Sequence, residues 1–438
     1  MKKSLISLLI MFLSFSALYG ADFDREKLNA FFNYLETHDK GFGSVSIFQD
    51  GAEVYSYQIG YSDFSRNKKI DGETKFKVGS VSKTFTAVII MQMIEEGKLN
   101  LDTKLSEFHP QVKNSEKITI RHLLSHRSGI FNFMSDETFI DWMLDPIKKN
   151  DLLRKIADYE PIFEAGEKEQ LSNSNYALLA SIAERLDERD FDRILERRIF
   201  GPVDLTNTRT GEQTNSQKNE AYSHHKLLTW AQTEETHNSL LTGSGGLHST
   251  PYDINKFFYH LFDGRLVSRQ SLDEMTRSGL GLVAMPFNDK PAFGHTGLLD
   301  GFQSKAVYFP AEKTAVTYTT NGVILFPNDI VGGVLSIYFG MDYEFPEFPE
   351  PLSLDLEVLN KYVGVYQSQE TPIKFTFFIE NGRLKGQGTG QSAFPLDAID
   401  ITKFIFEPVN INVEFLPETD GMIFVQFGQP FSFTRVRE

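Results

Sequence analysis

The sequence predicts an α+β fold, in which an antiparallel sheet is flanked by helices, with a mostly helical subdomain and a further antiparallel β domain at the C-terminus. Near the start, "GSVSIFQDGAEVYSYQIG" has the pattern of two alternating strands joined through Asp50-Gly51, a strong hairpin signal. From Phe76 to about Leu205 the pattern is mostly helical, and strands return between about Ala292 and Thr320. Strands at both ends with helices between them predict one sheet, built from both ends of this domain.

The chain changes character after residue 340. The segment 341–355, "MDYEFPEFPEPLSLD", carries three prolines among acidic residues, so it cannot continue a helix or a central strand. We expect a linker here, between a large domain at 21–340 and a small one at 356–438. Beyond the linker, Asn381-Gly382 marks a second hairpin, and further alternating segments follow. The last eighty or so residues therefore predict a small, barrel-like antiparallel β domain.

The first 20 residues have the pattern of a secretory signal peptide. A short basic start precedes an apolar core, and small residues stand at Gly20 and Ala21. The alternative is an uncleaved anchor, but the apolar run is shorter than the roughly 20 residues that a spanning helix needs. We therefore expect cleavage near Gly20, no membrane anchor after processing, and a periplasmic or secreted protein.

Composition excludes several classes of function. Acidic side chains number 59 against 44 basic ones, for a formal charge of −15, and no basic stripe offsets this average, which argues against nucleic acid as a partner. The chain has no cysteine, which excludes disulfides, thiol catalysis, thiolate metal sites and the lipid-bearing cysteine of a lipoprotein.

Ser80 and Lys83 stand three residues apart at the start of a long apolar run, "KFKVGSVSKTFTAVIIMQMIEEGK". Ser80 is an acceptable helix cap, but a lysine in the first helical turn is unfavourable beside the helix dipole and the unpaired N–H groups. The run is apolar on nearly every face, as in a buried central helix. A desolvated lysine on the same face as a serine lies within proton-transfer reach of it, so the two are either a catalytic pair or a cap and a surface lysine.

Five segments in order favour the catalytic interpretation. They are "FKVGSVSKTFTA", "GKLNLDTKLSEFHP", "ITIRHLLSHRSGI", "GSGGLHSTPYDINKF" and "FGHTGLLDGF". Together, over about residues 25–340, they resemble the serine β-lactamase and penicillin-binding-protein family, in the branch that holds class C β-lactamases, D-alanyl-D-alanine carboxypeptidases, D-aminopeptidases and β-lactamase-like esterases. The β-rich tail resembles, more loosely, a barrel-like domain appended to some of these hydrolases.

The resemblance implies a β-lactamase/transpeptidase-like fold and a role for each matching position. Ser80 would be the acylated nucleophile and Lys83 its proton acceptor, and no metal or organic cofactor would be needed. The cleft or substrate-binding positions that it implies are Asn173, His295, Thr296, Gly297 and Leu298. The backbone N–H groups of Ser80 and Leu298 would form the oxyanion hole.

The sequence differs from the family pattern at one position. The family carries Tyr-x-Asn in a loop that enters a helix, and here "QLSNSNYALLA" places Leu171 where the tyrosine stands. A leucine cannot transfer a proton. Three outcomes stay open: Lys83 acts alone, another group such as His295 or Tyr176 supplies the proton, or the protein binds without turnover. We favour a packing role for Tyr176.

Three other groups of residues have weaker functional signals. His122 and His126 have helical metal-ligand spacing but lack the glutamate of a metalloprotease, so we expect structural histidines. The pair His224-His225 lies in a polar region and is expected at the surface. Three phenylalanines near the motifs are candidates for an acyl pocket, namely Phe131, Phe133 and Phe302.

These observations predict an exported serine hydrolase that forms an acyl-enzyme on Ser80 and acts on a small-molecule or peptide substrate: a peptide, a D-amino-acid amide or an ester. A neutral His295 attracts a substrate carboxylate less than the lysine of true β-lactamases, which disfavours penicillins as substrates. The alternative is a silent or slow binding protein for peptidoglycan fragments or β-lactams, because of Leu171. Neither substrate identity nor oligomeric state follows from the sequence.

Overall fold

A computed structural model describes residues 23–226, 229–426 and 428–436. The predicted signal peptide, residues 1–20, lies outside the described residues. Within them, no helix has both the length and the apolar character needed to cross a bilayer.

Capping and apolar periodicity explain where the helices form, as the first helix illustrates. Asp24 caps it by accepting a hydrogen bond from the Lys27 backbone N–H at 2.8 Å, and its buried residues recur at helical spacing from Leu28 to Leu35. The helices are α1 (Arg25–Thr37), α2 (Ser82–Glu95), α3 (Ile120–Leu124), α4 (Phe139–Trp142), α5 (Lys149–Asp158), α6 (Asn173–Asp187), α7 (Phe191–Leu195), α8 (Pro251–Phe262), α9 (Arg269–Ser278), α10 (Pro327–Tyr338) and α11 (Leu356–Asn360).

The large domain is built on a six-stranded antiparallel sheet with the order β2-β1-β12-β11-β10-β9. The first hairpin therefore pairs, through β1, with a strand more than 250 residues later, as the sequence predicts. The strands of this domain are β1 (Gly41–Gln49), β2 (Ala52–Ile59), β3 (Tyr61–Asp63), β4 (Lys68–Lys69), β5 (Phe76–Lys77), β6 (His224–Lys226), β7 (Trp230–Gln232), β8 (His248–Ser249), β9 (Val283–Ala284), β10 (Phe293–Leu299), β11 (Phe302–Phe309) and β12 (Thr314–Val323).

Both predicted hairpins occur. Asp50 and Gly51 connect β1 to β2 with φ values of 50° and 83°, and Asn381 and Gly382 have φ values of 51° and 77°. Positive φ at both central residues is the geometry of a two-residue turn that matches the twist of the strands.

Two apolar cores lie on opposite faces of the sheet. One is formed with α1 and α10, and the other with the helical region that surrounds α2. Nearly every residue of α2 from Ser82 to Met91 is buried, which confirms the prediction of a buried central helix. This helix presents its first turn to the end of the sheet at β10.

The proline-rich segment 341–355 contains no helix or strand, and Leu352 forms an isolated bridge to Ala398. It is held against α1, since the Phe345 ring lies 5.4 Å from that of Phe31 and the Phe348 ring stacks on Tyr34 at 5.3 Å.

The C-terminal region is a nine-stranded antiparallel sheet, as predicted, with the order β16-β15-β14-β13-β21-β20-β19-β18-β17. Its two edge strands are consecutive in the chain and meet at Leu396, so the sheet curls into a nearly closed barrel. The strands are β13 (Gly364–Gln367), β14 (Lys374–Glu380), β15 (Arg383–Gly388), β16 (Phe394–Pro395), β17 (Asp397–Ala398), β18 (Lys403–Phe406), β19 (Ile411–Leu416), β20 (Gly421–Gln426) and β21 (Gln429–Arg435).

Candidate active site

Ser80 lies in a tight turn between β5 and α2. Residues Gly79–Val81 form a single 3₁₀ turn, and α2 begins at Ser82 with no side-chain cap. The helix-cap interpretation of Ser80 is therefore wrong, because the chain enters α2 through the 3₁₀ turn and the Ser80 hydroxyl faces a lysine instead. Gly79 has a φ of 53°, and a Cβ placed there would lie 3.0 Å from the backbone N of Leu298. Only glycine brings these two segments so close.

Lys83 is fully buried, and its ammonium group is held by three oxygen atoms. Nζ donates to Ser80 Oγ at 2.7 Å, to Asn173 Oδ1 at 2.7 Å and to the Ser244 carbonyl at 2.8 Å. Burial lowers the pKa of Lys83 to about 7. A substantial fraction of neutral amine is therefore present near pH 7, within hydrogen-bond reach of the hydroxyl that would lose a proton.

Asn173, the first residue of α6, is positioned by Asn132, a residue that sequence reasoning missed. The Asn132 side-chain oxygen accepts from the Asn173 backbone N–H at 3.0 Å and from its Nδ2 at 3.2 Å. These bonds orient the Asn173 amide so that its oxygen points at Lys83. The signal available in the sequence was the polar Asn132 between the apolar residues Phe131 and Phe133.

The other wall of the site is β10. Gly297 is buried there, and a Cβ on it would come within 2.1 Å of the Val78 carbonyl oxygen, so glycine is required for β10 to pack on the Ser80 turn. Thr296 is exposed, and Leu298 is 70% exposed. Strand β9 is in register with β10 only at Phe293 and Gly294, so the exposed side chains lie beyond that pairing.

His295, next to the exposed Thr296 on β10, is buried. Its Nδ1 lies 2.6 Å from the Thr296 carbonyl oxygen, so in the neutral ring Nδ1 carries the hydrogen and Nε2 is an acceptor. Burial, and then the positive charge of Lys83, lowers the pKa of His295 to about 4. The ring is therefore neutral near pH 7 and adds no positive charge to the cleft.

The structure thus brings together the predicted positions Ser80, Lys83 and Asn173 and sets β10 beside them. The Beta-lactamase family model matches residues 30–331 of the chain. The chain belongs to the beta-lactamase family.

Similarity to known proteins reaches beyond the residues that the family model matches. Penicillin-binding protein 4* of Bacillus subtilis is 25% identical over 425 residues, which cover 89% of this chain and 93% of that protein. The octameric penicillin-binding protein homologue from Pyrococcus abyssi superposes with a TM-score of 0.67 at 23% identity, over 94% of this chain and 100% of that one. The D-amino acid amidase from Ochrobactrum anthropi superposes with a TM-score of 0.62 at 23% identity, over 68% and 92%. At 23% identity, these two superpositions show a shared fold and nothing more.

Leu171, which the resemblance places at the family tyrosine position, is 52% exposed in the loop before α6. Tyr176 does not replace the missing phenol, because it is fully buried and its hydroxyl donates to the Leu124 carbonyl at 2.8 Å. Burial also raises the pKa of Tyr176. This geometry supports the packing role expected for Tyr176 and leaves Lys83 and His295 as the candidate proton carriers.

His126, set aside in the sequence as structural, lies beside the site. Its Nδ1 accepts from the Ser172 backbone N–H at 3.2 Å, and its ring centroid is 5.1 Å from that of Tyr176. Burial, with the nearby charge of Lys83 as a smaller cause, lowers the pKa of His126 to about 3. The neutral ring supports the loop that presents Asn173, which agrees with a structural role.

The expectation of a surface position for His224 is wrong. Its side chain is buried, Nε2 accepts from the Phe64 backbone N–H at 3.2 Å, and Nδ1 lies 3.0 Å from Asn321 Nδ2. The residue is on β6, which packs against β12, and a short polar strand of this kind has no periodicity that shows which side faces inward. His225 is exposed, as expected.

The three phenylalanines do not form an acyl pocket. Phe133 and Phe302 are buried at 0% and 1% exposure in two different apolar cores. Phe131 packs its ring 4.8 Å from Tyr159.

Among the described residues, no group of three or more His, Asp or Glu side chains is arranged to hold a metal ion.

Proposed function

We propose that this chain is a serine hydrolase in which Ser80 forms an acyl-enzyme and Lys83 is the base. The observation that carries the proposal is the 2.7 Å contact between Ser80 Oγ and the Nζ of a fully buried Lys83 whose pKa is about 7. An amine at that pKa accepts a proton at neutral pH and returns it in the next step.

The proposed reaction begins with attack of Ser80 Oγ on the substrate carbonyl carbon as the hydroxyl proton moves to Lys83 Nζ. Collapse of the tetrahedral intermediate breaks the bond to the leaving amine or alcohol, which takes that proton. Water then attacks the acyl-enzyme, and its proton passes through Lys83 back to Ser80. Asn173 and the Ser244 carbonyl hold the ammonium group in place between these transfers.

The oxyanion would be stabilised by the backbone N–H groups of Ser80 and Leu298. Support comes from the packing of β10 on the Ser80 turn, where Gly79 and Gly297 allow backbone contact. Donors of this kind typically contribute about 3 kcal/mol each to transition-state stabilisation.

We propose D-amino-acid amides, peptides or esters as the substrates, on the strength of the relatives' names, which include a D-amino acid amidase and penicillin-binding proteins. The neutral His295 adds no cation to hold a substrate carboxylate, which favours a neutral group at that position over the carboxylate of a penicillin. We also propose export to the periplasm or the medium, based on the signal-peptide pattern of residues 1–20.

A second candidate function is a binding protein that acylates and turns over very slowly. Leu171 favours it, because no phenol stands at the family position to help water attack the acyl-enzyme.

The deciding experiment combines labelling with turnover. The purified protein and its Ser80→Ala variant are incubated with a fluorophosphonate and with a β-lactam, and adducts are measured by intact-mass spectrometry. We expect an adduct that is absent in Ser80→Ala, together with hydrolysis of D-amino-acid amides or esters. Labelling without hydrolysis would establish the binding protein instead, and an adduct that persists in Ser80→Ala would reject both.

A further inference from the structure

The hairpin of β1 and β2 has one apolar face and one polar face. On the apolar face, Val45 of β1 is buried in the core that the sheet forms with α1 and α10. On the other face, Ser44 is paired with Gln58 of β2, and Ser46 is paired with Ser56 in the same way. Alternate residues of a strand point to opposite faces, so these four polar side chains lie on one face together.

A β-bulge adds a carboxylate to this polar face. The register shifts between Ile47 and Phe48, so that Phe48 is opposite Glu53 and Val54 is the extra residue. An extra residue moves the side chains that lie beyond it to the other face of the strand. Glu53 therefore lies on the same face as Ser46, whose Oγ donates to Glu53 Oε1 at 2.6 Å. This bond fixes the position of the carboxylate.

The polar face forms one wall of a cavity of about 230 Å³, which we call the hairpin pocket. Its inner part is buried, since Ser44 and Thr250 are 3% and 1% exposed, whereas Glu73 and Tyr252 are exposed at its rim. The volume is below the roughly 300–1,000 Å³ of a site for a drug-sized ligand. The hairpin pocket therefore suits one small ligand.

Four side chains that line the hairpin pocket form no hydrogen bond with another of the described residues. Ser44 is the buried one, and the others are Ser56, Gln58 and Asn207. Buried polar groups in proteins are almost always hydrogen-bonded, so the Ser44 hydroxyl needs a partner from outside the chain. A ligand that carries several hydroxyl groups could bond all four side chains at once.

Tyr252, in the first turn of α8, is the aromatic part of the wall. Its side chain is 40% exposed, and its ring packs edge-to-face on Phe48 at a centroid distance of 4.9 Å. The start of α8 is fixed by Thr250, whose Oγ1 accepts from the Asp253 backbone N–H at 3.1 Å. An aromatic surface held beside hydroxyl, amide and carboxylate groups suits a ligand whose ring has apolar faces and a polar edge.

The charge of the lining excludes one class of ligand. The charged side chains of the hairpin pocket are those of Glu53 and Glu73, and none of its described lining residues is a lysine or an arginine. Two carboxylates repel an anion, but each accepts hydrogen bonds from neutral hydroxyl groups.

We propose that the hairpin pocket binds the ring of a neutral monosaccharide unit. The sugar ring packs on Tyr252, and its hydroxyl groups bond Ser44, Glu53 and the side-chain amides at the rim. The elements that form this pocket do not include the Ser80 turn, so the proposal does not depend on the proposed hydrolase activity.

The test is saturation-transfer difference NMR on the purified protein with the methyl β-D-pyranosides of glucose, galactose and mannose. We expect saturable transfer to at least one of them. The preferred sugar is then compared with its uronic acid, which we expect to bind about tenfold more weakly, and with its 2-amino derivative, which we expect to bind no more tightly. Absence of saturable transfer to all three sugars would overturn the proposal, and tighter binding of the amino derivative would show a cation site instead.

Two substitutions of Tyr252 test the position of the sugar ring. Tyr252→Phe keeps the aromatic surface, so we expect the affinity to change by less than about twofold. Tyr252→Ala removes that surface and should weaken binding by about tenfold. Equal effects of the two substitutions would show that the sugar does not pack on the ring and would overturn the assignment.

Two tryptophan substitutions on β2 guard against binding elsewhere. Ser56→Trp fills the hairpin pocket, and strands accept aromatic residues, so we expect a folded protein that binds at least about tenfold more weakly. Ala52→Trp, at an exposed position of the same strand outside the pocket, should leave the affinity unchanged, as should Ser80→Ala. Full binding in Ser56→Trp, or loss of binding in Ser80→Ala, would place the sugar elsewhere.

Discussion

The Ser80 site and the core of the C-terminal barrel bury side chains of opposite character. Around Ser80, polar groups converge, and each oxygen that faces Lys83 receives a hydrogen bond. In the barrel, phenylalanine rings pack on one another, and Phe375 stacks on Phe424 at 4.4 Å. In the first arrangement, burial lowers the pKa of Lys83 while its oxygen partners hold the amine beside the Ser80 hydroxyl, which suits proton transfer. In the second, burial of apolar surface stabilises the fold.

Removing the Lys83 amine is the strongest test of the polar Ser80 site. We expect Lys83→Met to lower kcat/KM by roughly 10²- to 10⁴-fold, the usual contribution of a positioned base, with little change in fold. Steady-state kinetics on the best substrate measure it. Lys305→Met is the control, since Lys305 is a half-buried lysine whose Nζ bonds Asn328 on α10 instead. Equal losses in both variants would contradict a specific role for Lys83.

In the barrel, the largest expected effect is on stability. Phe415 is 2% exposed in the barrel core, so Phe415→Ala should lower the free energy of unfolding by about 3–5 kcal/mol. Phe431→Ala should cost clearly less, because its ring is only partly buried against that core. Denaturant unfolding followed by circular dichroism compares the two. A larger loss in Phe431→Ala would contradict the central position of Phe415 in the core.

The dependence of kcat/KM on pH tests the Ser80 site alone. The folded pKa of Lys83 is lowered to about 7, so the neutral base disappears as pH falls through 7. We expect kcat/KM to decrease about tenfold per pH unit below 7 and to level off above it. His295, with a pKa of about 4, stays neutral in this range and adds no second limb. A flat profile between about pH 5.5 and 8 would show that Lys83 is not the titrating base.

Removing the support of Asn173 should have a smaller effect. Asn132→Ala deletes the oxygen that accepts two hydrogen bonds from Asn173. We expect kcat to fall by about tenfold, since a displaced side chain near the reacting atoms reduces rates without abolishing them. Asn150→Ala, at an exposed position on α5, should leave kcat unchanged. A change in KM with unchanged kcat would indicate that Asn132 contributes to substrate binding and does not position Asn173.

The smallest expected change is a gain. Leu171→Tyr places a phenol at the family position, and we expect deacylation to accelerate a few-fold if that step limits turnover. Leu171→Phe is the control, since it adds the ring without the hydroxyl. Pre-steady-state kinetics separate acylation from deacylation. Unchanged rates in Leu171→Tyr would show that another group already carries this proton.

The sequence located most of the site because its residues sit in short, ordered motifs. Ser80 and Lys83 share one helical face, and Asn173 falls in a loop that enters a helix. Asn132 and Ser244 were missed, because their roles depend on contacts across 41 and 161 residues of sequence. No local pattern reports which backbone carbonyl will face a lysine in the folded chain.

The sequence alone determined the α+β class, both hairpins and the buried helix α2, since these follow from periodicity and from turn residues with positive φ. It also predicts, from the resemblance alone, that Leu171 stands where the family has a tyrosine. Only the tertiary structure decided that Lys83 is fully buried, that the Tyr176 hydroxyl donates to the Leu124 carbonyl, and that the two edge strands of the barrel meet at Leu396. Desolvation and long-range contacts depend on how distant segments pack, so they cannot be determined from one segment of sequence.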